Sequence, residues 1–257
     1  MKILVTGGTG TLGKKFVEEA EKTGHEIRIF SRKSKSEDSP GGIEWASGDL
    51  VTGEGLPQAL QGVDAVMHAA SNPGMKSKEV DIKGTTNLLT AARDADVDHI
   101  LYPSIVGIDR IKYFYYQNKE QAEKLIMDSG IPFTILRGTQ FHELIDQVFA
   151  GLNKVPLVLP VPKKFQLQTI AARDMAQKLA QFLEEGPAGR APDFAGPEVL
   201  NAETMADSWL KANKLEKKLV NLPVWGGVAR GFREGKVTNP QRAVGEISWN
   251  AWLQRQK

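Results

Sequence analysis

Short β-branched runs alternate with amphipathic helical patterns over the first half of the chain, and no other feature constrains the fold as strongly. Ile3-Leu4-Val5 is followed by a glycine turn and a helical pattern through Phe16, Val17 and Ala20. Further strands are expected at Ile27–Phe30, Ile43–Trp45, Ala65–His68, Ile100–Tyr102 and Phe133–Leu136. Helices are expected around Leu56–Leu60, over Asp81–Ala95 and over Lys119–Met127. In the second of these, Leu88, Leu89 and Ala92 share one face. Strands separated by helices pair in parallel through right-handed crossovers, which lay helices on both faces of the sheet. The expected fold class is therefore α/β, a doubly wound parallel sheet.

Beyond about Leu136 the alternation loosens. Pro156, Pro160 and Pro162 punctuate apolar pairs, and Ala172–Leu183 reads as a helix with Asp174 near its first turn. Residues 203–215 and 248–254 read as helices, the second opened by Ser248. No low-complexity linker divides the 257 residues, so a single domain is expected, with residues from about 138 onward forming a substrate lobe.

Composition excludes several functions. The chain has no cysteine, which removes disulfides, zinc ribbons and a thiol nucleophile, and no metal site is expected. No apolar run approaches the ~18 residues of a membrane span, and Met1–Gly7 turns to glycine too soon for a secretory leader. A cytoplasmic protein is the expectation. A net charge of +2 implies no nucleic-acid partner. Basic residues concentrate in 211–257, with ten Lys/Arg against three Glu and three of the five Trp. That tail reads as the solvated face of a packed lobe, with a membrane-surface or nucleic-acid contact as the alternative.

Thr6-Gly7-Gly8-Thr9-Gly10-Thr11-Leu12-Gly13 joins the first strand to the first helix, with glycines spaced G-x-x-G-x-x-G. Such a loop makes a tight turn, brings bare backbone against a pyrophosphate, and aims a helix N-terminus at the anion. Gly7, Thr9, Gly10, Thr11, Leu12 and Gly13 are thus candidate dinucleotide contacts, and the architecture is Rossmann-type. An NAD site usually offers a carboxylate about 20 residues further on, for the ribose 2′-hydroxyl. Here Ser31-Arg32-Lys33 stand 18 to 20 residues after Gly13. A guanidinium suits a 2′-phosphate, so NADP(H) is expected ahead of NAD(H).

With the glycine loop, Gly48-Asp49-Leu50, His68-Ala69-Ala70-Ser71, Gly84-Thr85-Thr86-Asn87-Leu88-Leu89 and Tyr115-x-x-x-Lys119, the chain resembles the short-chain dehydrogenase/reductases, in particular the atypical, NmrA-like members. The resemblance covers essentially the whole chain. It implies that Asp49, with Leu50, contacts the adenine, and that Ala69, Ala70 and Ser71 pass beneath the cofactor. It further implies a triad in which Tyr115 handles the proton, Lys119 engages the cofactor ribose and the tyrosine, and Ser104 polarises the substrate. Of Tyr113, Tyr115 and Tyr116, only Tyr115 has a lysine four residues on, one helical turn away. A neighbouring ammonium favours the phenolate and draws a group of ordinary pKa about 10 toward neutrality. Thr139, Gln140 and His142 follow the sixth strand, where the family places substrate and nicotinamide contacts.

The function these features imply is an NADP(H)-dependent oxidoreductase that reduces a carbonyl or oxidises an alcohol. Two alternatives stay open: a non-catalytic NADP(H)-sensing protein, and an isomerase or epimerase with tightly held cofactor. Substrate and oligomeric state are not encoded in any motif.

Overall fold

The computed structural model describes residues 1–32 and 42–255. Along the chain run β1 (Lys2–Thr6), α1 (Thr11–Lys22), β2 (Glu26–Ser31), β3 (Glu44–Ser47), α2 (Leu56–Ala59) and β4 (Ala65–His68). A π-helical segment (Lys78–Gly84) leads into α3 (Thr85–Asp94), followed by β5 (His99–Ile105), α4 (Phe114–Met127) and β6 (Phe133–Gly138). Then come α5 (His142–Leu152), β7 (Val158–Val161), β8 (Gln166–Leu167), α6 (Ala172–Glu185), β9 (Gly189–Arg190) and β10 (Leu200–Asn201). The chain ends with α7 (Ala202–Ala212), β11 (Lys218–Asn221), α8 (Gly227–Arg233) and α9 (Trp249–Arg255).

These elements form two compact units. The first comprises Met1–Ser104, Phe114–Leu136 and Ala176–Ala191. The second comprises Ile105–Tyr113, Arg137–Met175 and the chain from Pro192 onward. The second unit thus also takes in 105–113, upstream of the boundary expected near 138, and most of α6 belongs to the first.

The first unit carries the expected doubly wound α/β architecture. Its seven-stranded sheet has the order β3-β2-β1-β4-β5-β6-β9. β1 lies parallel to both β2 and β4, with Ile3 opposite Ile27 on one side and Ala65 on the other. Ile3, Leu4 and Val5 are fully buried, as a run of three apolar residues in a strand covered on both faces must be. On one face, Leu4, Val66, Ile100 and Ile135 pack with Leu56, Leu60, Leu88 and Ile126. The strand order reverses between β1 and β4, and ligands of such sheets bind in the crevice at the carboxyl ends of the strands there.

Three elements depart from the sequence pattern in ways that matter for the site. β5 continues through Pro103, so Ser104 lies within the strand rather than beyond it. Its ladder with β4 ends at the pair Met67 and Leu101, so on that side proline's missing N–H interrupts nothing. α4 starts at Phe114, five residues before Lys119, which puts Tyr115 and Lys119 on one helix. The helix expected from Asp81 opens instead as the π-helical segment. There Thr85 Oγ1 donates to the Asp81 carbonyl (2.7 Å) and Thr86 Oγ1 to that of Ile82 (3.0 Å), competing with backbone donors for those acceptors.

The second unit has its own core, in which Phe149 of α5 and Trp209 of α7 pack with Trp249 and Trp252 of α9. Two small sheets flank it, β7 with β11 in parallel and β8 with β10 antiparallel. Two of the three tryptophans in the basic tail are therefore core residues, while Trp225 is exposed. Among the described residues no helix is long and apolar enough to cross a membrane, and no group of three or more His, Cys, Asp or Glu is placed to hold a metal ion.

Candidate cofactor and catalytic site

The glycine loop turns back on itself at the end of β1. Gly7 takes a left-handed φ of 71°, and its carbonyl accepts from the Gly10 N–H at 2.9 Å. A Cβ on Gly7 would stand 2.6 Å from the Ala70 nitrogen, and one on Gly13 would stand 2.2 Å from the Gly7 carbonyl oxygen. The loop therefore excludes side chains where strand, turn and helix converge. Gly10, the residue before α1, offers no side-chain cap, and the first turn of the helix holds no acidic residue. Its terminal N–H groups and the positive end of its dipole are left to an anion.

Around this turn lies a cavity of about 320 Å³, wholly within the first unit. Gly7, Thr9 and Gly10 line it, together with Ser31 and Arg32 from the end of β2, Asp49 and Leu50 beyond β3, and Ala69, Ala70 and Ser71 beyond β4. Thr11, Leu12 and Gly13 form the first turn of α1, the latter two buried. Lys33 lies outside the described residues. Asp49 Oδ1 accepts from the Val51 N–H at 2.7 Å, and Asn87 Nδ2 donates to the carbonyls of Leu50 (2.9 Å) and Val51 (3.1 Å). Asn87 thus fixes the loop that presents Asp49. Cradle, helix terminus and guanidinium together fit a dinucleotide.

The strand ends that floor this cavity are tied by a buried chain of hydrogen bonds. Thr85 Oγ1 spends its proton on the Asp81 carbonyl, so it accepts from His68 Nε2 (2.9 Å). The other ring nitrogen, Nδ1, then accepts from Thr6 Oγ1 (2.7 Å), which in turn accepts from the Ala70 N–H (3.3 Å). Burial first, and then the Lys119 charge, push the His68 pKa down to about 3. The imidazole stays neutral and holds Ala70 in place.

Tyr115 and Lys119 enter from α4. The Tyr115 hydroxyl lies 3.0 Å from Ser71 Oγ. Lys119 is buried, donates to the Pro103 carbonyl at 3.0 Å, and sits 3.9 Å above the Tyr102 ring. Desolvation draws its pKa down to about 8, against the pull of the Asp81 and Glu123 carboxylates. Ser104 Oγ and Tyr102 Oη are buried with no hydrogen-bond partner among the described residues. Burial, with Asp81, Tyr115 and Glu123 nearby, raises the Tyr102 phenol well above its ordinary range.

A residue with no sequence signature stands at the centre of this group. Asp81 is 1% exposed, on the π-helical segment. Its Oδ1 accepts from Ser71 Oγ at 2.5 Å, and its Oδ2 accepts from Ser77 Oγ at 3.0 Å and the Asn72 N–H at 3.2 Å. Asn118 of α4 donates to Ser77 Oγ at 3.1 Å. In the sequence Asp81 is indistinguishable from an acidic residue favouring a helix N-terminus.

The three candidates that follow β6 lie in the second unit. His142 is fully buried between Trp249 and Trp252, at ring distances of 5.6 and 5.8 Å. Nε2 donates to the Ile247 carbonyl (2.9 Å), so Nδ1 accepts from Thr169 Oγ1 (2.7 Å). Both nitrogens serve the core of that unit, and burial lowers the pKa. Thr139 Oγ1 accepts from the Gly196 N–H at 3.0 Å. The Gln140 carboxamide is buried, with neither atom partnered among the described residues.

A family model described as NAD(P)H-binding matches residues 7–186. The photosystem II assembly factor Ycf39 of Trieres chinensis is 28% identical over 238 residues, covering 86% of this chain and 74% of that protein. The (4-alkanoyl-5-oxo-2,5-dihydrofuran-3-yl)methyl phosphate reductase of Streptomyces griseus is 27% identical over 204 residues, covering 78% and 70%. Among solved structures, the NADPH-dependent quinone oxidoreductase QOR2 of Escherichia coli, complexed with NADPH, superposes with a TM-score of 0.79 at 20% identity over 99% of each chain. That last likeness is one of fold.

Proposed function

The chain belongs to the NAD(P)H-binding family, in its atypical short-chain dehydrogenase/reductase, NmrA-like form, and on that premise we propose that it is an NADP(H)-dependent oxidoreductase acting on a carbonyl or alcohol. The observation that carries this reading is the Tyr115 hydroxyl 3.0 Å from Ser71, a residue of the cavity wall. An acid–base group thus stands at the edge of the space assigned to the cofactor.

In this reading the loop from Gly7 to Gly13 and the N-terminus of α1 hold the pyrophosphate. Asp49 and Leu50 hold the adenine end, Arg32 meets the 2′-phosphate beside Ser31, and Ala69, Ala70 and Ser71 floor the cavity. A bound dinucleotide supplies or accepts the hydride. Tyr115 gives its proton to the substrate oxygen in reduction and takes it back in oxidation. Lys119, drawn down to about 8, is still mostly ammonium at neutral pH and supports a phenolate as it forms. Ser104 brings a buried hydroxyl, without a partner among the described residues, to orient the carbonyl.

The test is a screen of aldehydes, ketones and quinones for NADPH consumption, followed by Tyr115→Phe. Loss of a positioned general acid should lower turnover by about 10²–10⁴ while NADPH affinity holds. Tyr113→Phe and Tyr116→Phe are the controls and should remain active. One relative is named an assembly factor rather than an enzyme, which supports a second reading as a non-catalytic NADP(H) sensor. Tight NADPH binding with no carbonyl consumed would favour that reading over ours.

A further inference from the structure

We propose that Asp81 is a positioning residue that holds Tyr115 as a hydrogen-bond donor, and thereby poises the site for carbonyl reduction rather than alcohol oxidation. The proposal rests on Tyr115 being the acid–base group.

The argument begins with proton counting. Ser71 Oγ carries one hydrogen, and it is directed to Asp81 Oδ1 at 2.5 Å. The 3.0 Å contact between Ser71 Oγ and Tyr115 Oη then has only one polarity left, with the tyrosine donating. A phenol in that position is protonated, and its proton is the one a nascent alkoxide needs. A phenolate there would meet the lone pairs of Ser71 with a buried carboxylate behind them, so deprotonation is opposed twice.

Asp81 is built to stay in place. Ser71, Ser77 and the Asn72 N–H converge on its two oxygens, which satisfies a carboxylate that is almost wholly out of water. The π-helical turn carries it, and Asn118 braces Ser77 from α4, the helix that also bears Tyr115. Such turns recur at functional sites. Besides Asp81, the titratable groups near Tyr115 include Tyr102 on β5 and Tyr116, whose ring lies 6.1 Å away, and Lys119 and Glu123 of α4 both act on that same Tyr102. Lys119, the cation of this group, gives its hydrogen bond to the Pro103 carbonyl.

Replacing Asp81 by Asn removes the charge and offers a carboxamide N–H to Ser71. The serine is then released to donate to Tyr115, so the polarity of the chain reverses. Replacing Ser71 by Ala removes the acceptor and leaves the carboxylate. The ionisation of Tyr115 is read by ultraviolet titration of tyrosinate, as the difference between each protein and the same protein carrying Tyr115→Phe. The midpoint is expected to fall by about 1–3 pH units in Asp81→Asn and by less in Ser71→Ala. In turnover, the pH at which carbonyl reduction fails should drop by the same interval, and alcohol oxidation should begin at correspondingly lower pH. An unmoved or raised midpoint in both variants overturns the proposal. If Asp81→Asn lacks native circular dichroism, Ser71→Ala decides alone. Because the titration needs no substrate, it is separable from the enzyme reading, which falls if Tyr115→Phe keeps full turnover.

Discussion

At Gly13 an added Cβ would stand 2.2 Å from the Gly7 carbonyl oxygen and 2.8 Å from the Gly8 Cα, both backbone atoms. At Gly10 it would meet the same carbonyl at 3.2 Å, with no other contact as near. The two glycines share a motif but carry different loads. Gly13→Ala must push strand and helix apart and should cost about 1–3 kcal/mol of stability, as overpacking does. Gly10→Ala should leave the thermal midpoint nearly unchanged while weakening NADPH binding, since the added methyl stands at the uncapped start of α1. Thermal melts and calorimetric titration of both variants check this, and equal melting losses would contradict it. Arg32, exposed on the cavity wall, belongs to the same scale. A charge-assisted hydrogen bond to a 2′-phosphate contributes about 1.5–3 kcal/mol. Arg32→Ala should therefore weaken NADPH binding roughly ten- to a hundredfold and leave NADH binding nearly unchanged. Wild-type protein that binds NADH as tightly as NADPH would remove the basis for this assignment.

Elements are joined at the site by a chain of polar contacts. The sequence of bonds from Ala70 through Thr6, His68 and Thr85 to Asp81 ties β1, β4 and the start of α3 together. His68 holds its proton only below about 3 when folded, against 6.5 for an ordinary histidine. Between these values the unfolded chain binds a proton that the folded one refuses. The stability that depends on neutral His68 is thus full above pH 6.5 and is lost as pH falls toward about 3. His68→Gln keeps a donor and an acceptor but does not titrate. Denaturant midpoints should fall less steeply in this variant than in wild type between pH about 6.5 and 4. Parallel slopes would show that the histidine is not a source of the pH dependence. The remaining slope in the variant includes His99, which burial lowers to about 4 and which bonds Thr134 in the same sheet.

On the scale of the whole molecule, what was legible in the sequence is what neighbours along the chain decide. Apolar period distinguishes strand from helix, the glycine spacing makes a turn that only glycine permits, and Ser248 caps α9 three residues ahead of the Ala251 N–H. The doubly wound sheet, the cofactor loop and the Tyr115–Lys119 spacing follow from such local terms. Tertiary structure alone decided the rest, because a buried polar atom must be satisfied by whatever the fold brings to it. Tyr115 meets a serine 44 residues away, and that serine meets Asp81 across a turn with no recognisable motif. His142 finds Ile247 at a separation of 105 residues and becomes a core residue of the second unit. The division into two units is equally non-local, since 105–113 and 176–191 each join the unit that their neighbours in sequence would not suggest. Local periodicity specified the strands and most helices of the first half of the chain and the cradle; long-range hydrogen bonding, invisible to any window along the chain, decided which side chains share the site.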